Sequence, residues 1–136
     1  TFPGPKLLPE DNAAAARCVQ WTSFGNVMVD RWLMREFVVP SVFFDKAKGP
    51  DTAKITAAVP QMDKMCKLLD QALAKTGHLV GTGLTWADLN VLPMVATAMG
   101  FPQGKEVVAK YANLTKFVGA MTARPSFTKT APPPRP

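Results

Sequence analysis

From Ile55 to Leu73 the apolar residues return at steps of four, three, four, three and four: Ile55, Val59, Met62, Cys66, Leu69 and Leu73. An α-helix gathers residues at that spacing on one face, whereas a strand would scatter them over both. So apolar a face must be covered by another element. Nothing else in the chain alternates in the two-residue rhythm of a half-buried strand, so the cover must itself be helical. The expected class is therefore all-α, a bundle of about five helices with a long first helix. Asp51 is placed to cap the helix of the stripe, and Gly77 to close it. Pro60 falls inside and has no N–H to give, which predicts a kink or two short helices.

The long first helix is expected from about Asn12 to Val39, with Asp11 as its N-cap and the helix-favouring run Ala13 to Ala16 behind it. Cys18, Trp21, Gly25, Met28 and Trp32 share one face at α-helical spacing. Leu33, Met34, Phe37 and Val38 form a second apolar set, so the helix should be buried on more than one side. Pro40 is expected to end or bend it. Further on, "LTWADLNVLP" carries Thr85 as an N-cap and Asp88 three residues later. The hydroxyl can accept from the Asp88 amide while the carboxylate reaches back to the Thr85 amide, a capping box. Leu84 and Leu89 then stand as a hydrophobic staple. Leu89, Leu92, Ala96 and Met99 should face inward. A short helix over about 104–111 and a last one through Leu114, Phe117 or Val118, and Met121 follow, ending at Arg124-Pro125.

At 136 residues the chain reads as one domain: 1–10 an interdomain-type linker, 11–127 the helical domain, and 128–136 a proline-rich tail. Apolar residues make up 47%, too many for a disordered chain. No apolar run approaches the roughly 20 residues that span a bilayer, and no signal peptide is visible, so no membrane partner is expected. The net charge of +6 is scattered singly and matches no nucleic-acid module, so nucleic acid is not expected either. Cys18 and Cys66 fall in separate helical patterns and read as free buried thiols in a reducing, cytoplasmic setting. No metal site is expected. His78 stands in a turn without a visible partner. Asp88 has no second titratable group in view, which favours a cap over a catalytic acid.

Three segments carry a family resemblance. "LVGTGLTWADLNVLP" resembles the capping-box segment that opens a core helix in the all-helical C-terminal domain of glutathione transferases. "LLPEDNAAAARCVQW" resembles the start of that domain's first long helix, and "KYANLTKFVGAMTARPSF" its closing segment. The wording "T-x-A-D-L-N-x-L-P" is most like the phi class and its bacterial or fungal relatives. Ala112 and Phe117 stand where the family usually has proline and tryptophan. The resemblance implies the electrophile-site and dimer-interface portion of an enzyme of detoxification that joins glutathione to hydrophobic electrophiles. It implies a thioredoxin-like N-terminal domain as partner, a homodimer, and glutathione as co-substrate of the whole enzyme. This chain alone is expected to bind no cofactor, to hold no catalytic residue and to be inactive, since it contains nothing like the thiol-activating domain. Met34, Phe37 and Val38, from the second apolar set, are the candidates for the electrophile pocket; packing against a neighbouring helix is the plainer reading of the same residues. The alternative function is a non-catalytic interaction module, as in the helical domains of elongation-factor subunits and aminoacyl-tRNA synthetases.

Overall fold

The computed structural model describes residues 6–130, and no strand occurs among them. The first five residues of the linker and the last six of the tail lie outside the described residues. Helix α1 (Asn12–Phe24) starts at Asp11, whose Oδ2 accepts from the Ala14 amide at 2.7 Å. It passes directly into a π-helical segment (Gly25–Val38) and then α2 (Val39–Val42). In the π segment the hydrogen bonds span five residues, as from the Val39 amide to the Met34 carbonyl. A turn wound this way holds more than the roughly 3.6 residues of an α-helix, so one face is followed in steps of four. Gly25, Val29, Leu33 and Phe37 are the buried row.

That winding corrects the stripe expected from the sequence. Cys18 and Gly25 are buried, but Met28 swings out to 36% exposure and Val29 takes its place in the core. Pro40 does not end the helix, which continues to Val42. The Ser41 hydroxyl donates to the Phe37 carbonyl at 2.7 Å, and the Phe43 amide closes on Val39 at 2.8 Å.

Helix α3 (Thr52–Leu73) begins at Asp51, which accepts from the Lys54 amide at 2.9 Å. It runs through Pro60 as one element rather than two. Pro60 and Thr56 both sit on the solvent side, where water can take the carbonyl that the proline leaves without a donor. Ile55, Met62, Cys66, Leu69 and Leu73 are buried, and Gly77, at φ +77°, turns its amide onto the Leu73 carbonyl at 2.8 Å.

Helices α4 (Trp86–Ala98), α5 (Pro102–Ala109), α6 (Ala112–Thr122) and α7 (Pro125–Thr130) complete the described chain. Helix α5 starts two residues earlier than expected because Pro102 suits a first turn, where no amide is needed. Pro125 likewise opens α7 instead of stopping the chain's helices, and the Phe127 and Thr128 amides donate to the Arg124 carbonyl. Gly104 lets α5 lie against the end of α4: a Cβ there would stand 2.0 Å from the Ala98 carbonyl oxygen.

The π segment is the central strut. Helices α3 and α4 pack along it, α1 lies on α4, and α5 and α6 close over α3. Leu33, Phe37, Met62, Leu69, Val95 and Leu114 are fully enclosed, each contributing roughly 1.5–3 kcal/mol of burial. Phe37 meets Phe101 edge to face at 5.6 Å.

Candidate functional site

The most committed polar group in the interior is Asp88, in the first turn of α4 and 0% exposed. A buried carboxylate is tolerated only when its lone pairs are filled. Here Oδ2 accepts from the Thr85 amide and from the Thr85 hydroxyl, both at 2.8 Å, and Oδ1 accepts from the Leu79 amide at 2.9 Å. The capping box is present in both directions, and Leu84 and Leu89 lie half-buried against the core. The Trp86 amide donates to the Leu7 carbonyl at 2.9 Å, so the linker end is tied to the same helix start.

The structure places a second titratable group here that the sequence reading lacked. His78 Nδ1 lies 3.8 Å from Asp88 Oδ2, too far for a hydrogen bond, and makes none elsewhere. His78 is carried there by the turn at Gly77 and by the bond from Leu79 to Asp88. This is not an acid–base pair poised for chemistry: the carboxylate is sealed from solvent and its oxygens are filled by three protein donors.

Another aspartate went unnoticed in the sequence. Asp70, on α3, caps α6 across the fold: Oδ1 accepts from the Asn113 and Leu114 amides at 2.8 and 3.0 Å, and Oδ2 from the Asn113 side chain at 3.1 Å. Nearby, Lys110 donates to Asp63 at 3.0 Å and holds that carboxyl below its ordinary 3.8. Burial pushes the Tyr111 hydroxyl up to about 12, helped by its hydrogen bond to Asp63. Burial likewise pushes the Cys66 thiol up to about 12, which leaves it protonated and unreactive at neutral pH. Cys18 and Cys66 are both free and buried. Among the described residues no group of His, Cys, Asp or Glu could hold a metal ion, and no helix is long and apolar enough to cross a membrane.

The three candidates for an apolar pocket wall occupy different depths. Phe37 is 0% exposed and Val38 5%, both within the core, whereas Met34 is half-buried on the surface of the π segment. Two clefts stand apart from them. One, of about 390 Å³, is apolar and lies where the linker crosses α1 and α4, between Leu7, Leu8, Val19 and Trp86, with Cys18 and Thr22 below. Trp86 is 55% exposed at its lip. The other, of about 430 Å³, lies between the C-terminal turn of α3 and α6.

A helical bundle hung on one long first helix, with a capping box buried at the start of its core helix, defines a class of domain. The sequence model of the glutathione S-transferase C-terminal domain matches residues 34–129, and the chain belongs to that family. In structure it is similar to glutathione transferase F7 from Populus trichocarpa, at 24% identity and a TM-score of 0.79 over 93% of this chain and 59% of that one. It is similar also to a Burkholderia graminis glutathione transferase holding two glutathione molecules per subunit, at 23% identity and 0.78 over 90% and 51%. Glutathione S-transferase III in its apo form aligns at 26% identity and 0.77 over 98% and 62%. The chain thus spans 51–62% of the length of these relatives. No curated protein sequence matches it.

Proposed function

We propose that this chain is the helical, electrophile-binding and dimer-forming portion of a cytoplasmic, phi-like glutathione transferase. The observation that carries the reading is the family match over residues 34–129 together with the fold shared with glutathione transferases. The division of labour follows from the chemistry. The attacking species is the glutathione thiolate, which needs a hydroxyl or thiol donor to stabilise it; a thioredoxin-like partner domain supplies that donor. The helical chain supplies an apolar wall that holds the electrophile against the sulfur. Met34, with its flexible thioether, is the wall residue that reaches the surface, and Phe37 and Val38 back it from the core. The new carbon–sulfur bond forms as the electrophile's leaving group departs with its electron pair.

Docking of the partner domain is supported by the apolar cleft at the linker. Leu8, Val19 and Trp86 are 52, 58 and 55% exposed there, a patch that a partner would cover. The test is conjugation of a chlorodinitrobenzene to glutathione. The isolated chain is expected to give no turnover and no retention on immobilised glutathione. Joined to a thioredoxin-like domain of the family, it is expected to conjugate, with KM for the electrophile raised by Met34→Ala. Turnover by the chain alone would overturn the division of labour. An inactive two-domain protein that still folds would favour the interaction-module alternative.

A further inference from the structure

We infer that Asn90 is a positioning residue: its amide, seated against Gly25, fixes the point at which the strut passes from α to π winding and so sets which way Met34 faces. Two apolar rows start at Gly25. Met28 and Trp32 continue it at α-helical spacing; Val29, Leu33 and Phe37 continue it at steps of four. The first row runs out at Arg35 and Glu36, and the second is the one that is buried. An α-helix turns about 100° per residue and a row of fours about 90°, so the two windings part by about 10° at every residue. Counted from Gly25, the difference is about 90° at Met34 and about 120° at Phe37. Under α winding Glu36 would point inward where Phe37 now lies. It reaches Lys54 instead, at 3.1 Å.

The point of change is held from another helix. A Cβ on residue 25 would stand 2.2 Å from Asn90 Oδ1 and 3.2 Å from Val91 Cγ2, so the α4 amide comes this close only to a glycine. Asn90 Nδ2 donates to Asn26 Oδ1 at 2.8 Å, in the first turn of the π segment. The Gly25 amide donates to both the Trp21 and Thr22 carbonyls and closes the α turn behind it. Asn90 Oδ1 is buried and accepts no hydrogen bond among the described residues. Such an oxygen destabilises a fold, so stability alone does not account for an asparagine at this place. What the side chain provides is a wedge against Gly25 and a bond to Asn26. The consequence for an electrophile rests on the reading of Met34 as a wall residue; the winding does not.

Peroxide oxidation of this chain, followed at each methionine by peptide mass spectrometry, tests the winding. Asn90→Ala removes both the wedge and the bond. Met34, half-buried in the parent, is expected to turn outward and oxidise about fivefold faster, while Met121, 4% exposed on α6, stays within about twofold. Gly25→Ala displaces the same amide, which is the far end of a side chain and can yield, and is expected to give the same result. The double variant should be no faster than either single one, since both act on one contact. An unchanged Met34 rate in both single variants, or Met34 and Met121 rising together, would overturn the assignment. In the two-domain protein, a faster Met34 with an unchanged KM for the electrophile would set aside the wall reading and leave the winding standing.

Discussion

Two helices of this domain start on an aspartate that accepts three hydrogen bonds, and they do so in opposite ways. Asp88 caps its own helix from three residues inside it and is 0% exposed. Asp70 caps α6 from another helix, 43 residues upstream in sequence, and is half-buried. The first device fixes where one helix begins. The second fixes a helix start and also ties α3 to α6, so its loss acts on packing between elements. A local cap is a property of a short peptide; a remote one exists only once the bundle has assembled.

The difference can be broken at several points. Asp88→Ala strands the Thr85 and Leu79 amides in the interior and is expected to cost about 3 kcal/mol, a drop of roughly 10 °C in Tm. An unchanged melting curve would refute the buried role. Asp70→Ala is expected to cost about 1.5 kcal/mol and to speed amide exchange at Asn113 and Leu114 while leaving Thr85 protected. Exchange that rises equally at both helix starts would show that the two caps melt as one unit. Asp11→Ala removes an exposed cap with a single bond, for which differential scanning calorimetry should find about 0.5–1 kcal/mol.

The smallest effect concerns Asp63 and Lys110, whose side chains are 37 and 58% exposed. The folded-state pKa of Asp63 is lowered, so its contribution is present above the ordinary 3.8 and lost as the pH falls through the folded value. Solvent screening keeps it below about 0.5 kcal/mol. Asp63→Asn should therefore lower stability slightly at neutral pH and match the parent in strong acid. A gap that widens on acidification would contradict this sign.

Much of the fold was legible in the residues because the causes are short-range. Asp11, Asp51 and the Thr85–Asp88 pair each satisfy amides within four residues, and the α3 stripe from Ile55 to Leu73 needs nothing but the α-helical repeat. The site was less legible. The depths of Met34, Phe37 and Val38 depend on how the π segment is rolled, and an α-helical repeat put Met28 where Val29 belongs. His78 beside Asp88 and the seat of Asn90 against Gly25 could not be read at all, since each joins segments that meet only by packing.

By itself, then, the sequence determined the all-helical class and the starts of α1, α3 and α4, because hydrogen bonds between near neighbours and the repeat of apolar side chains are written along the chain. Tertiary structure alone decided the π winding from Gly25, the capping of α6 by Asp70, the close approach of Gly104 to Ala98 and the clefts on the surface. Those depend on where distant backbone comes to rest, and that is settled by the packing of the whole core.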